Sequence, residues 1–258
     1  MSRRPTIVAG NWKMHKTLPE GEAFLQAFLP RLASRKGTGC QVVLAPNFTL
    51  LAAMRDPCRA AGVGLAAQNC HPEARGAFTG EVAVGMLAAA GATHVLVGHS
   101  ERRHLFHEDD DFLRRKVQAV LAGGLTPIFC VGETLEERTA GQATAVVGRQ
   151  LRAGLRDVAS PAGIIIAYEP VWAIGTGKTA TTADAQQMHA FIRQILGELL
   201  PAGGAGMPVL YGGSVKPGNA AELLAAPEVD GVLVGGASLE PEDFLQIVAA
   251  GDRAAAQV

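Results

Sequence analysis

The 258-residue chain is predicted to be an α/β protein, folded as one (β/α)8 barrel domain over residues 1–258. Three observations predict this fold. Short apolar runs alternate with stretches of helical periodicity, and polar residues follow nearly every run. The runs are continuously apolar, which is typical of strands buried on both faces of a parallel sheet. No linker, charge block or low-complexity stretch divides the chain.

Eight runs have the composition of buried strands. They are Thr6–Asn11, Gln41–Ala45, Gly64–Gln68, His94–Gly98, Pro127–Val131, Gly163–Tyr168, Pro208–Tyr211 and Gly231–Gly235. Stretches with helical spacing lie between them, for example Glu20–Ala33, Asp111–Ala122, Ala143–Leu155, Ala183–Leu200 and Asn219–Leu224. This alternation indicates βα units joined by right-handed crossovers.

An open doubly wound sheet is the competing architecture. It would concentrate ligand-binding residues near one switch point, whereas a barrel gathers them from the C-terminal ends of many strands. The polar residues that follow the runs are Asn11 and Lys13, Gln68 and Asn69, His99 and Ser100, Glu133, Glu169, and Ser214. Because they are spread over most of the units, the barrel is favoured.

Composition limits the classes of function. A formal net charge of −1 and a pI of about 6.7 do not fit a nucleic-acid-binding protein, which carries a basic patch. The cysteines form no Cys-x-x-Cys motif, which favours reduced thiols over a disulfide framework or a zinc site. No signal-peptide core and no run of membrane-spanning length is visible, so we expect a cytoplasmic protein with no membrane partner.

The segment 168–182, YEPVWAIGTGKTATT, partly matches two nucleotide-binding motifs. A phosphate loop that ends in Gly177-Lys178-Thr179 needs its first glycine at position 172, which is Trp172. A dinucleotide fingerprint places its glycines directly after the strand, whereas Pro170 to Ile174 intervene here. Both matches are weak.

Glu169 is a candidate general base. It stands at the end of the apolar run 164–168, where a carboxylate would face a cavity of low dielectric constant, and Pro170 restricts the backbone behind it. A carboxylate surrounded by apolar groups holds a proton more readily and can act as a general base. The alternative is a strand-end glutamate in a surface salt bridge.

His99, Asn11 and Lys13 are further candidates. His99 ends a run where a helix could begin, and a helix N-terminus disfavours imidazolium, so we expect a neutral ring that donates a hydrogen bond. The alternative is a core histidine bonded to a backbone group. Asn11 and Lys13 leave the first strand on the same side, where an ammonium would stabilise an oxyanion or a phosphate. A solvated surface lysine is the alternative.

Glycine pairs follow the last two predicted strands, in Gly212-Gly213-Ser214 and Gly235-Gly236, and Asn219 or Ser238 could begin short helices after them. Backbone N–H groups without side chains can bind an anion, and barrels often hold phosphate after strands seven and eight. A tight turn explains either pair alone, but two pairs in adjacent units favour a phosphate site.

No metal site is expected. His104 and His107 are three residues apart, as two metal ligands can be, but no third ligand accompanies them. Cys130 lies within a predicted strand and is most simply a small buried hydrophobic residue. Ser100 next to His99 forms no catalytic triad, and no serine stands in a Gly-x-Ser-x-Gly elbow.

Taken together, these residues make the chain closely resemble the triosephosphate isomerase family, from about Ile7 to Gly251. The matching motifs are Gly10-Asn-Trp-Lys-Met14, Gly76-Ala-Phe-Thr-Gly-Glu81, Val97-Gly-His-Ser-Glu-Arg-Arg103, Ala167-Tyr-Glu-Pro-Val-Trp-Ala-Ile-Gly-Thr-Gly-Lys178, Tyr211-Gly-Gly-Ser-Val215 and Val234-Gly-Gly-Ala-Ser-Leu239. The resemblance implies interconversion of dihydroxyacetone phosphate and D-glyceraldehyde 3-phosphate, in glycolysis and gluconeogenesis, without cofactor or metal. The raised proton affinity of the base, the neutral histidine and the closing lid are known features of that family.

By resemblance, Glu169 is the base that removes the proton next to the carbonyl, and His99 is the neutral electrophile that shuttles protons between the two oxygens. Lys13 matches the cation and Asn11 its polar partner on the same loop. The positions that resemble the phosphate-binding backbone are Gly175, Ser214, Gly235 and Gly236. Two further residues resemble supporting groups behind the site, Glu101 near Lys13 and Ser100 next to His99.

The resemblance also implies a lid and a homodimer. The lid is the segment of about 170–180, whose apolar side chains would exclude water from an enediolate that readily loses phosphate. Family members are usually dimers in which the loop at 76–81 reaches into the partner's active site. Departures from the family pattern, at Met14, Ala83 and Thr182, do not touch the chemistry.

Two other functions fit part of the sequence. Another phosphate-binding barrel, such as one in tryptophan or histidine synthesis, predicts the glycine pairs but not Lys13, His99 and Glu169 together. The other is a catalytically silent barrel kept as a binding or moonlighting surface protein, and the intact catalytic positions weigh against it.

Overall fold

The computed structural model describes residues 4–35, 39–173 and 180–256, and in them eight strands form one closed parallel barrel. The strands are β1 Ile7–Asn11, β2 Gln41–Ala45, β3 Gly64–Ala67, β4 His94–Val97, β5 Thr126–Val131, β6 Ile165–Tyr168, β7 Val209–Tyr211 and β8 Gly231–Val234. Ile7 pairs with Gln41 of β2 on one side and with Gly231 of β8 on the other, which closes the barrel. The predicted (β/α)8 architecture is confirmed.

Helices fill the connections between successive strands. The α-helices of the described residues are α1 Leu18–Ala33, α2 Leu51–Ala60, α3 Val84–Ala89, α4 Ser100–His104, α5 Asp110–Ala122, α6 Leu135–Thr139, α7 Ala143–Gly154, α8 Thr182–Leu199, α9 Pro217–Leu224 and α10 Pro241–Ala256. Short 3₁₀ turns cover Phe48–Leu50, Val171–Ala173, Gly204–Gly206 and Gly236–Ser238. No helix among the described residues is both long and apolar enough to span a membrane.

The continuous apolar runs serve two separate cores, because successive strand residues point to opposite faces of the sheet. The residues inside the barrel are Ile7, Ala9, Val43, Ala45, Ala66, Leu96, Ile128, Cys130, Ile165, Ala167, Leu210 and Leu233. The alternate residues, such as Val8, Val42 and Leu44, pack outward against the helices. Asn11 continues the inward series of Ile7 and Ala9, so the strand directs its side chain into the barrel mouth.

Helix starts differ from the sequence-based expectation in ways that capping explains. The helix expected from Asn219 begins at Pro217, because proline at the first helical position has a preset φ and needs no N–H partner. Ser238 lies in a 3₁₀ turn and does not begin a helix; α10 begins at Pro241. Helix α5 begins one residue early, at Asp110, where the Asp109 carboxylate accepts from the Phe112 N–H at 2.8 Å.

A buried ionic group ties α5 to the loop before it, to α4 and to the loop after β3. Lys116 is fully buried, and its ammonium donates to Glu108 at 2.6 Å and to Asn69 at 2.7 Å. Arg102 donates to the same carboxylate oxygen of Glu108 at 2.8 Å. Burial lowers the pKa of Lys116, and the hydrogen bond to Glu108 opposes that shift.

Candidate active site

A cavity of about 440 Å³ opens at the C-terminal ends of the strands. Several predicted site residues line it together, namely Asn11, Lys13, His99, Glu169, Ser214, Gly235 and Gly236. They follow five different strands, β1, β4, β6, β7 and β8, and only the closed barrel brings those strand ends together. Gly175, the remaining predicted phosphate-binding position, lies outside the described residues.

Glu169 is held at the floor of the cavity by the strand that precedes it. Its N–H donates to the carbonyl of Val131 at 2.8 Å, extending the pairing of β6 with β5. The side chain is 2% exposed, and its Oε2 accepts from the N–H of Ser100 at 2.8 Å. Its Oε1 has no hydrogen-bond partner and lies 3.2 Å from Nε2 of His99. One oxygen therefore anchors the carboxylate while the other remains available for proton transfer.

Two glycines leave room for Glu169. A Cβ on Gly212 would lie 2.9 Å from Cγ of Glu169, and a Cβ on Gly132 would overlap the carbonyl of Glu169. Gly212 also donates its N–H to the carbonyl of Tyr168 at 2.7 Å. The backbones of neighbouring strand ends therefore approach Glu169 more closely than any side chain allows.

His99 caps helix α4 with its side chain. Nδ1 of the ring accepts from the N–H of Glu101 at 3.3 Å. That hydrogen bond needs a lone pair on Nδ1, so Nε2 carries the proton of the neutral ring. Because Nε2 is the nitrogen next to Glu169, this tautomer presents a donor on the cavity side.

Lys13 has an unusual backbone conformation, with a φ of 53° in the left-handed region that favours glycine. Its N–H donates to Oδ1 of Asn11 at 3.0 Å, and its carbonyl accepts from the Gln68 amide at 2.8 Å. Gln68 donates to the carbonyl of Ala45 as well, at 2.9 Å. Side chains from two strand ends thus hold the backbone of Lys13. From the sequence alone, Gln68 is recognisable only as a polar residue after a strand.

The ammonium of Lys13 is placed by Glu101. The two groups are 2.9 Å apart, and both are partly exposed. Burial alone would raise the pKa of the Glu101 carboxyl, but the hydrogen bond from Lys13 and the surrounding positive charge outweigh it and lower the pKa. Glu101 therefore stays ionised and orients the cation, as the sequence analysis expected of a group near Lys13.

Backbone donors from the loops after β7 and β8 line the same cavity. Among the described residues, the N–H groups of Ser214, Gly235 and Gly236 have no hydrogen-bond partner. The 3₁₀ turn after β8 is fixed by Ser238, whose N–H and hydroxyl both donate to the Gly235 carbonyl. A Cβ on Gly235 would lie 3.9 Å from Cε of Lys13, so these donors adjoin the cation. Such N–H groups next to an ammonium suit a phosphate.

A second acid, Glu133, supports the first residues of the predicted lid. It is fully buried, and it accepts hydrogen bonds from the hydroxyl of Tyr168 at 3.1 Å and from Nε1 of Trp172 at 2.9 Å. Arg138 pairs with it at 3.3 Å, and its guanidinium lies over the Trp172 ring. Burial, followed by the charge of Glu133, raises the pKa of Tyr168. From the sequence alone, Glu133 is recognisable only as a polar residue after a strand, with no predicted role. Residues 174–179 of the lid lie outside the described residues.

The residues that the sequence analysis considered weaker candidates do not lie in the cavity. Cys130 is fully buried inside the barrel, and burial, reinforced by the charge of Glu169, raises the pKa of its thiol. His104 is the last residue of α4, and His107 follows that helix with a φ of 55°. Over residues 4–35, 39–173 and 180–256, no three His, Cys, Asp or Glu side chains are grouped to hold a metal ion.

Comparisons with known proteins agree with this geometry. The family model described as triosephosphate isomerase matches residues 6–251. Triosephosphate isomerase of Syntrophotalea carbinolica is 51% identical over 252 residues, covering 95% of this chain and 98% of its own length. The Symbiobacterium thermophilum enzyme is 51% identical over 257 residues, covering 98% of this chain and 100% of its own length.

A solved structure gives the same result. The crystal structure of triosephosphate isomerase from Bartonella henselae has a TM-score of 0.87 and 42% sequence identity, and the match covers 95% of this chain and 98% of that one. Sequence and fold are therefore similar over nearly the whole length of both chains. The chain belongs to the triosephosphate isomerase family.

Proposed function

We propose that Glu169, His99, Lys13 and Asn11 carry the chemistry by which this chain interconverts dihydroxyacetone phosphate and D-glyceraldehyde 3-phosphate, in glycolysis and gluconeogenesis. One observation carries the assignment of roles. The Oε1 of Glu169 and Nε2 of His99 lie 3.2 Å apart on the wall of a cavity that the Lys13 side chain and the backbone of Ser214, Gly235 and Gly236 also line. That spacing lets one group act on a carbon while the other acts on the attached oxygen.

The reaction begins with removal of a proton from C1 of dihydroxyacetone phosphate by Glu169. The electron pair of the C–H bond forms the C1–C2 double bond, and the former carbonyl oxygen at C2 gains negative charge. Lys13 stabilises that oxyanion, and Nε2 of His99 donates a proton to it. Because Oε2 of Glu169 is held by Ser100, the carboxylate reaches C1 through Oε1 or after releasing that bond.

The second half returns both protons. The His99 ring, now lacking its Nε2 proton, takes the proton of the C1 hydroxyl, and the neutral ring is restored. The C1–O bond becomes the aldehyde as Glu169 gives its proton to C2. Every proton removed is returned and no electrons leave the substrate, so the chemistry balances without a redox cofactor.

Phosphate binding completes the proposal. Ser214, Gly235 and Gly236 offer backbone N–H groups, and Gly175 would add another from the lid at about residues 170–180. Glu133 anchors the start of that segment through Tyr168 and Trp172. An anchored first turn gives the lid a fixed hinge, and closure would exclude water from the enediolate.

Replacement of the base tests the mechanism. In a coupled NADH assay on D-glyceraldehyde 3-phosphate, Glu169→Gln should lower kcat by about 10²–10⁴-fold or more, the usual cost of losing a general base. Glu198→Gln, at an exposed residue of α8 that pairs with Arg152, serves as the matched control. Wild-type turnover in the Glu169 variant would remove this residue from the mechanism, and a folded but inactive wild type would refute the isomerase assignment.

A homodimer is part of the same proposal. Residues 73–81 are all exposed, including Phe78, an apolar side chain that is 44% exposed and packs one face on the His71 ring. Met14, beside the active-site lysine, is 94% exposed. A surface loop with an exposed aromatic residue suits docking onto a second copy.

Sedimentation of the purified protein tests the dimer. The wild type should sediment at twice the chain mass of 26.8 kDa, and Phe78→Asp should shift it toward the single-chain mass. Leu135→Asp, at a similarly exposed apolar residue of α6, should leave the mass unchanged. A wild type at the single-chain mass would refute the dimer.

A cytoplasmic location belongs to this proposal too, and the free thiols of all four cysteines support it.

A further inference from the structure

The side chain of Asn219 joins the two ends of the loop that carries Ser214. Asn219 is the third residue of α9, and its amide Nδ2 donates to the carbonyl of Ser214 at 3.0 Å. Its Oδ1 accepts from the N–H of Lys216 at 2.8 Å. One carboxamide therefore spans the turn between the cavity and the start of the helix. Asn219 itself does not line the cavity.

Few other hydrogen bonds restrain this loop, although the Val215 side chain is buried in the core. Residues 212–216 connect β7 to α9 and begin with two glycines, which have the greatest backbone freedom. Gly212 is bound at the strand side, through its N–H to the Tyr168 carbonyl. Within the described part of the chain, the segment 213–215 makes no hydrogen bond to other protein groups apart from the one at the Ser214 carbonyl. Asn219 thus supplies the two side-chain hydrogen bonds that hold the turn after the Ser214 N–H.

We propose that Asn219 is a positioning residue for the phosphate end of the site, acting through the Ser214–Lys216 turn. This inference rests on the proposed function and deepens it. By holding the turn in the free protein, the carboxamide keeps the Ser214 N–H beside those of Gly235 and Gly236 before substrate arrives. Without it, the turn must be ordered during binding, which weakens the affinity for the phosphate group.

A simple helix cap would use the same hydrogen bond to Lys216 N–H, so the test must separate capping from positioning. A cap affects the stability of α9 and no step of the reaction in particular. A positioning residue affects substrates that carry phosphate and spares the same chemistry on a substrate that lacks it. D-Glyceraldehyde supplies the phosphate-free substrate, and inorganic phosphate supplies a probe of the anion site alone.

The experiment compares Asn219→Ala with Gly218→Ala, its neighbour in the first turn of α9, where an added Cβ meets no atom within 4 Å. Loss of two hydrogen bonds should raise the Kd for inorganic phosphate and the KM for D-glyceraldehyde 3-phosphate by about tenfold. The rate of D-glyceraldehyde isomerisation should stay at the wild-type value. Gly218→Ala should leave all three quantities unchanged. If Asn219→Ala does not fold, Asn219→Gln, which keeps both polar atoms but displaces them, should weaken phosphate binding in the same direction.

Two outcomes overturn the inference. One is an unchanged Kd for phosphate in folded Asn219→Ala. The other is an equal loss of activity on both substrates, which would show a general structural role. Failure of the proposed function has a different signature, namely a wild type that binds phosphate in an Asn219-dependent way and isomerises neither substrate.

Discussion

Gly212→Ala tests whether the position of Glu169 is set by the glycine beside it. The added Cβ would lie 2.9 Å from Cγ of Glu169 and 3.2 Å from the carbonyl oxygen of Tyr168. Ordinary van der Waals contact begins at 3.4 Å, so the contact with Cγ is short by about 0.5 Å. Gly212 is tied to Tyr168 by its N–H, so we expect Glu169 to move rather than the glycine backbone.

The displacement sets the expected loss of activity. A misplacement of about 1 Å costs roughly 10²-fold in rate, so a shift of about 0.5 Å should lower kcat about tenfold. KM should change by less than about twofold, because the N–H groups that we propose bind the phosphate are not displaced. The assay is steady-state isomerisation in both directions, with Gly218→Ala as a control that introduces the same methyl group without a contact. A folded Gly212→Ala enzyme with wild-type kcat would refute the argument that packing against Gly212 sets the position of Glu169 for the reaction.

Three further predictions concern stability and reactivity. Lys116→Met should lower the free energy of unfolding, measured by urea titration, by about 3 kcal/mol, because it leaves the buried Glu108 carboxylate with one cation fewer. An unchanged urea midpoint would contradict this prediction. Burial lowers the pKa of His189 to about 4, so the unfolded state binds the extra proton between about pH 4 and 6.5, and stability should fall by up to about 3 kcal/mol as the pH drops through that range. His189→Gln should reduce this dependence, and His94, whose pKa burial also lowers to about 4, should retain part of it; an equal slope in the variant would exclude His189. Iodoacetamide at neutral pH should modify the cysteines of the native protein far more slowly than those of the urea-unfolded chain, because burial raises their thiol pKa values to about 12. Equal rates of modification would contradict this prediction. The thiols concerned are Cys40, Cys58 and Cys70.

The strands could be predicted because each is a local signal. Every predicted run overlaps an observed strand, and most differences are one or two residues at an end. Polar residues after those runs marked the mouth of the barrel, since parallel strands in a closed sheet end on one side. Helix starts were less predictable, as at Pro217, because capping by one or two residues decides them.

The connections inside the site could not be predicted from the sequence. Glu169 and Ser100 are 69 residues apart, and their hydrogen bond exists only because β4 and β6 lie on either side of β5 in the closed barrel. Gln68 and Glu133 were visible as polar residues after strands, but their partners come from other strand ends or distant loops. Local patterns identify which residues face the mouth, whereas distances between strand ends follow from barrel closure.

The left-handed backbone at Lys13 has a consequence for how this protein could be engineered. A side chain in that conformation costs roughly 1 kcal/mol or more, which glycine would avoid. A selection for thermal stability alone would therefore favour glycine at position 13 and would discard the ammonium. Stabilised variants of this chain should be screened for turnover at every round, because this gain in stability removes the ammonium that we propose stabilises the oxyanion.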